Sequence, residues 1–133
     1  MKSEEKIFRI IDANINRCKE GIRVIEEIIR YLFDNKEIAS KLKELRHKIK
    51  VENYKNLLQY RDIENDVLKE SIESEKDRTN LKDIILANFK RAQESARVLE
   101  ESFKLIDPQI SEDFKHIRYE LYSLEKEVLT IYF

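Results

Sequence analysis

Ile7, Ile10, Ile11, Ile15, Cys18, Ile22, Ile25, Ile29 and Leu32 recur at steps of three and four, the spacing that lines up one face of an α-helix. It predicts a long helix over residues 4–33. Ser3 is its expected N-cap, Glu4 and Glu5 complement the dipole in the first turn, and Asp34-Asn35 is the expected stop. Ile38, Leu42, Leu45, Ile49, Leu57 and Leu58 form the stripe of a second helix. From Arg61 to Arg78 no stripe is sustained, and Ile63, Val67 and Ile72 are the residues available to anchor a short helix or ordered loop.

Asn80, with Asp83 three residues on, reads as a capped helix start. The third stripe follows as Leu81, Ile84, Ile85, Phe89, Ala92, Ala96, Leu99, Phe103 and Ile106. Asp107-Pro108 opens a fourth helix, since proline suits the first helical position. Its stripe is Ile110, Phe114, Ile117, Leu121, Leu124, Val128 and Ile131.

The first and third helices repeat each other. At a constant offset of 74 residues Ala13, Asn14, Arg17, Glu20, Arg23, Val24, Glu26 and Glu27 recur as Ala87, Asn88, Arg91, Glu94, Arg97, Val98, Glu100 and Glu101. Leu42 to His47 resembles Phe114 to Tyr119 at an offset of 72, which sets Arg46 over Arg118. The expected fold is therefore all-α: one domain over 1–133, built as a duplicated helical hairpin that forms a four-helix bundle with pseudo-twofold symmetry. Repeat one spans 4–60, a connecting segment 61–79, and repeat two 80–133.

Composition agrees with this reading. The chain has 133 residues, 41% of them hydrophobic, enough for one core. One glycine and one proline leave no material for a Walker loop, a kinase glycine loop or a GxGxxG turn. Lys+Arg 26 against Asp+Glu 27 gives a net charge of -1, which argues against a nucleic-acid binder. Cys18 is the only cysteine, so no internal disulfide forms, and with His47 and His116 far apart no zinc motif exists. No secretion segment or membrane span is expected, which predicts a soluble, cytoplasmic protein.

In the repeats polar residues persist while core positions drift, as Ile15 becomes Phe89. Asn14 lies within the apolar stripe and Arg17 at its edge, so Asn14 and Asn88 are expected to find hydrogen-bond partners inside the bundle. Arg17, Arg46, Arg91 and Arg118 all flank stripes, and guanidinium groups converging on one cleft suit phosphate or carboxylate. The same residues also fit a buried network that fixes helix register. Glu20, Arg23, Glu27 and their copies have the spacing of a salt-bridged solvated face, or of a dimer interface. Asp62 and Asp66, beside Arg61, suit orienting a hydroxyl or holding hydrated magnesium, and equally a charged linker. Cys18 reads as a buried small hydrophobe, and Tyr119, Tyr122, Tyr132 and Phe133 as packing.

The run Ile10 to Glu27 resembles a helical module of thiamine biosynthesis. Leu45-Arg46-His47, Arg61-Asp62 followed by Asp66-Val67, Ala87 to Glu101, and Arg118 to Glu125 are similar to that module in the same order. The module is the hydroxymethylpyrimidine-phosphate kinase domain often fused ahead of thiamine-phosphate synthase. The resemblance implies ATP- and Mg2+-dependent phosphorylation of 4-amino-2-methyl-5-phosphomethylpyrimidine to its diphosphate, with a separate thiamine-phosphate synthase as partner. For that reaction the residue pattern makes Arg17, Arg46, Arg91 and Arg118 the expected phosphate ligands, Asn14 and Asn88 the partners of the pyrimidine or phosphate, and Arg61, Asp62 and Asp66 the expected catalytic residues, with Asp62 or Asp66 at the metal. Glu20 and Glu94 would orient the arginines. Where the family has Asp-Val-Gly-Thr this chain has Asp66-Val67-Leu68-Lys69. The alternatives are a non-catalytic pyrimidine-phosphate-binding or docking module that acts with a separate thiamine-phosphate synthase, and a homodimerisation module; on every reading no nucleic-acid or membrane partner is expected.

Overall fold

The computed structural model describes residues 3–51, 57–69 and 80–133. It is all-helical there, with α1 (Ser3–Tyr31), α2 (Lys36–Lys48), a 3-10 turn (Leu57–Tyr60), α3 (Leu81–Phe103) and α4 (Pro108–Tyr132). Ser3 is itself helical rather than the residue preceding the helix. Ile72 and Arg78 lie outside the described residues.

Three of the helix starts have a local cause, a polar side chain that caps them. α1 stops at Tyr31, and Asp34 takes a left-handed backbone (φ 51°), a region aspartate tolerates better than most residues. Asn35 then caps α2: its Oδ1 accepts the Ile38 N–H at 3.0 Å, while its Nδ2 donates to the Tyr132 hydroxyl at 2.9 Å. Asn80 caps α3 by accepting the Asp83 N–H. Asp107 caps α4, with Pro108 at its first position. The expected second helix is cut short, because Ile49 leaves the helical region (φ -84°, ψ 78°). Leu57 and Leu58 sit instead on the separate 3-10 turn, where Leu58 is exposed.

The apolar stripes meet in one core. Cys18, Ile22, Ile25 and Ile29 of α1 pack with Leu42 and Leu45 of α2, Phe89, Leu99 and Phe103 of α3, and Phe114, Leu121 and Val128 of α4. Each such side chain contributes about 1.5–3 kcal/mol by leaving water. Stripe ends fall away from this core: Ile10, Leu32 and Ile131 are exposed. So are Ile63 and Val67, the latter 93%, and neither anchors the segment after the 3-10 turn.

α1 and α3 pack tightly at Gly21. A Cβ on Gly21 would lie 2.9 Å from the Asn88 carbonyl oxygen and 3.4 Å from the Ala92 Cβ. Three residues earlier, the Cys18 Sγ donates to the Ala92 carbonyl at 3.5 Å. α2 packs on α1 and α4 on α3. The ring closes weakly between α2 and α4, through Lys48–Glu120 at 3.5 Å and Lys41–Glu127 at 3.6 Å. This arrangement is consistent with two related hairpins, Cys18 and Ala92 being equivalent positions of the repeat.

Candidate functional site

The repeated arginines of α2 and α4 each meet a glutamate of the preceding helix. Arg46 donates from Nε and Nη2 to the two oxygens of Glu26, at 2.8 and 3.2 Å. Arg118 does the same to Glu100, at 2.9 and 3.4 Å. Glu26 and Glu100 are buried, and these bonds hold both guanidinium groups more firmly protonated than usual, Arg118 with help from the Tyr122 hydroxyl. Each arginine thus ties the two helices of its own hairpin together. Glu26 and Glu100 were in the repeat, yet only their partners flanked a stripe conspicuously.

Asn14 and Asn88 also behave alike. Each Nδ2 donates to the carbonyl four residues back, Ile10 and Ile84, at 2.8 Å. The amide donors serve their own helices, and neither asparagine meets an arginine. Their side-chain oxygens remain available to a ligand donor.

A different group gathers on the outward crest of α1. Arg61, just past the 3-10 turn, donates from Nε and Nη2 to both oxygens of Asp12, at 2.7 and 2.8 Å. Asp12 is buried, and the Tyr60 ring stacks on Phe8 at 5.5 Å. The bond to Asp12 raises the Arg61 pKa, and the Glu20 carboxylate adds to it. Glu20 also faces Arg91 of α3 at 3.8 Å. Arg17 is exposed one turn away, with no ion pair among the described residues. Glu20 therefore faces Arg91 of α3 and acts on Arg61 of the connecting segment, while Arg17 stands exposed one turn along α1. Asp12 escaped sequence reasoning although its signal was present: a carboxylate between Ile11 and Ile15, at the stripe edge, requires a partner.

Asp62 and Asp66 form turns. Asn65 donates to Asp62 through its backbone N–H (3.0 Å) and its Nδ2 (2.7 Å), and Leu68 N–H donates to Asp66 at 3.1 Å. The Asn65 bonds hold the Asp62 carboxyl below the usual range, assisted by the charge of Arg9. Among the described residues no three His, Cys, Asp or Glu side chains group as a metal site. Magnesium commonly takes only one or two carboxylates and completes its shell with water and substrate phosphate, so Asp62 and Asp66 fit that donor set.

The remaining polar repeats lie on solvated helix faces. Arg23 pairs with Glu27 at 2.7 Å and Arg97 with Glu101 at 3.0 Å, and such exposed pairs add little stability. Glu94 has no ion pair among the described residues. Burial pushes the Cys18 thiol up to about 12. His47 and His116 are exposed. Tyr119 and Tyr122 are exposed too, edge-on to each other at 5.7 Å with Arg118 over both rings. Two shallow clefts lie elsewhere: one of about 370 Å³ between α1 and α2, lined by Arg30, Lys36, Ser40 and Lys43, and one of about 200 Å³ between α2 and α4. No helix among the described residues is long and apolar enough to cross a membrane.

Fold and crest together define an all-helical protein in which arginines of α3 and of the connecting segment meet carboxylates of α1, without a glycine-rich phosphate loop. Its sequence matches the model of the ThiD2 family over residues 9–127, and the chain belongs to that family. It is 36% identical over 127 residues to the thiamine-phosphate synthase of Nostoc punctiforme, covering 95% of this chain and 36% of that protein. It is 38% identical over 128 residues to the thiamine-phosphate synthase of Synechocystis, covering 96% and 37%. The chain thus spans little more than a third of the length of these relatives. No solved structure matches it significantly.

Proposed function

We propose that this chain acts in thiamine biosynthesis as a cytoplasmic hydroxymethylpyrimidine-phosphate kinase. The observation that carries the reading is the crest of α1, where Glu20 faces Arg91 of the second repeat and acts on Arg61 of the connecting segment, one turn from Arg17, within the span of the family match. In the reaction an oxygen of the pyrimidine's phosphate attacks the γ-phosphorus of ATP, the bond to the β-phosphate oxygen breaks, and ADP leaves. Such transfer depends on positioning and charge neutralisation more than on covalent catalysis. Arg17 and Arg91 bind phosphate oxygens, Glu20 orients Arg91, and Arg61 faces the developing charge. The Asn14 and Asn88 amide oxygens suit the pyrimidine's amino group. Asp62 and Asp66 would hold magnesium, which supplies charge neutralisation between the phosphates when bound. Arg46 and Arg118 act through the bundle rather than on the ligand.

A second reading, a binding module that hands the pyrimidine phosphate to a separate thiamine-phosphate synthase, is favoured by the engagement of Asp62 and Asp66 in local turns. An assay of the pyrimidine monophosphate with ATP and magnesium, read as diphosphate formed, separates the two. Turnover by the wild type that falls in Arg17→Ala and Asp62→Ala is the result expected of the kinase. Tight monophosphate binding with no diphosphate overturns it in favour of the binding module.

A further inference from the structure

We infer that the duplicated bundle carries one phosphate-ligand site per chain rather than two, on α1, and that Asp12 is the positioning residue that creates it. The inference rests on the crest being the ligand site, as proposed above. The repeat itself suggests two sites, because Asn14, Arg17 and Glu20 recur as Asn88, Arg91 and Glu94. What does not recur is the set of residues that holds the 61–69 segment against the bundle.

Two α1 side chains do this work. Phe8 stacks on Tyr60, the residue just before the segment, at 5.5 Å, and Asp12 takes the Arg61 fork at 2.7 and 2.8 Å. At the same offset α3 has Lys82 and Leu86. Leucine accepts no hydrogen bond, and Lys82 offers no ring. Neither contact can be rebuilt on α3.

The ion pairs show the same asymmetry. Glu20 has Arg91 at 3.8 Å and feels the charge of Arg61, whereas Glu94 has no ion pair among the described residues. The Asp12 side chain is 9% exposed and that of Arg61 40%, so the aspartate is the fixed half of the pair and the arginine the half that reaches solvent. A buried carboxylate that receives two parallel N–H bonds fixes the plane of the guanidinium. It leaves the opposite edge of Arg61 turned outward. Asp12 touches no ligand, and acts by aiming Arg61 and carrying Asp62 with it.

The test is calorimetric titration of the whole chain with 4-amino-2-methyl-5-phosphomethylpyrimidine. The wild type is expected to bind one ligand per chain. Asp12→Leu, which installs the α3 residue, should weaken binding at least tenfold, with Asp12→Asn intermediate. Amide exchange should quicken over 61–69 and stay unchanged in α3, a pattern that mere loss of stability would not produce. Asp12→Asn, which keeps the shape of the side chain and only one acceptor for the Arg61 fork, serves if Asp12→Leu does not fold. Two ligands per wild-type chain, or equal affinity in folded Asp12→Leu, overturns the single-site inference and leaves the kinase reading standing. No binding by the wild type overturns both.

Discussion

Arg118 of α4 grips both carboxylate oxygens of Glu100 of α3, at 2.9 and 3.4 Å, with only about a tenth of either side chain exposed. Arg46 and Glu26 make the equivalent grip in the other hairpin, with Arg46 more open at 18%. Removing one partner of a buried pair strands the other charge, at a typical cost of about 3–5 kcal/mol. Arg118→Met leaves Glu100 only its longer contact to Arg97 at 3.6 Å, and should lower the unfolding free energy by about 3 kcal/mol, Arg46→Met by less, as measured in urea. Exchanging the whole pair, Glu100→Leu with Arg118→Met, should recover most of the loss. Equal costs for the two single variants would contradict this ranking.

Gly21 sits where α1 and α3 pack tightly. Alanine gains about 1 kcal/mol in helix propensity, but its Cβ would lie 2.9 Å from a backbone carbonyl that only a shift of α3 can relieve. Overpacking of this kind costs about 1–3 kcal/mol. Gly21→Ala should lower Tm by several degrees, whereas Ala96→Gly should do so through lost helix propensity with no shift between helices. A Gly21→Ala protein more stable than wild type would refute the close approach.

Cys18 is buried at the same crossing, and its thiol is pushed up to about 12. The thiolate is the reactive form. The native protein should resist Ellman's reagent at pH 8 for hours and react at once in denaturant, its modification rate following global opening. Rapid labelling of the folded chain would contradict that placement.

The Asp62 carboxyl is held low by Asn65, with Arg9 assisting. A depressed folded-state pKa contributes stability that is present above the ordinary carboxylate range and lost as pH falls through the folded value. The 61–69 turn should stay ordered at neutral pH and loosen only in acid below that range. A carboxyl 13C titration of Asp62 should shift downward from its position in a peptide and return toward it in Asn65→Ala. An unshifted titration would remove the turn from the account of how Asp62 is presented.

Two helix starts were legible, because Asn80 and Asp107 bond to the N–H groups they precede and so announce themselves locally, whereas Ser3 lies inside α1 and Asn35, expected only as a stop, also caps α2. Helix ends were less so. Leu57 and Leu58 prolong the α2 stripe, and nothing local reveals that Ile49 turns the backbone aside. The crest was half visible for a similar reason. Arg17, Glu20 and Arg91 stood out because they repeat, whereas Asp12 is paired to a residue 49 positions away and has no copy in α3. Likewise Arg46 and Arg118 drew notice at stripe edges, but a guanidinium at an edge looks the same whether it awaits a ligand or already holds a buried glutamate.

The crossing at Cys18 and Ala92 bears on why a duplicated chain is useful at all. Two identical hairpins related by a true dyad would have to place the same residue on both flanks of their contact. A small residue admitting one helix would then be matched by the same gap on the other side. Joined in one polypeptide, the halves are released from that obligation. Gly21 leaves room for α3, while its counterpart Ser95 turns its hydroxyl back onto the Arg91 carbonyl at 2.7 Å. Covalent linkage thus lets the two sides of one interface be tuned separately, a liberty denied to a homodimer of the same hairpins.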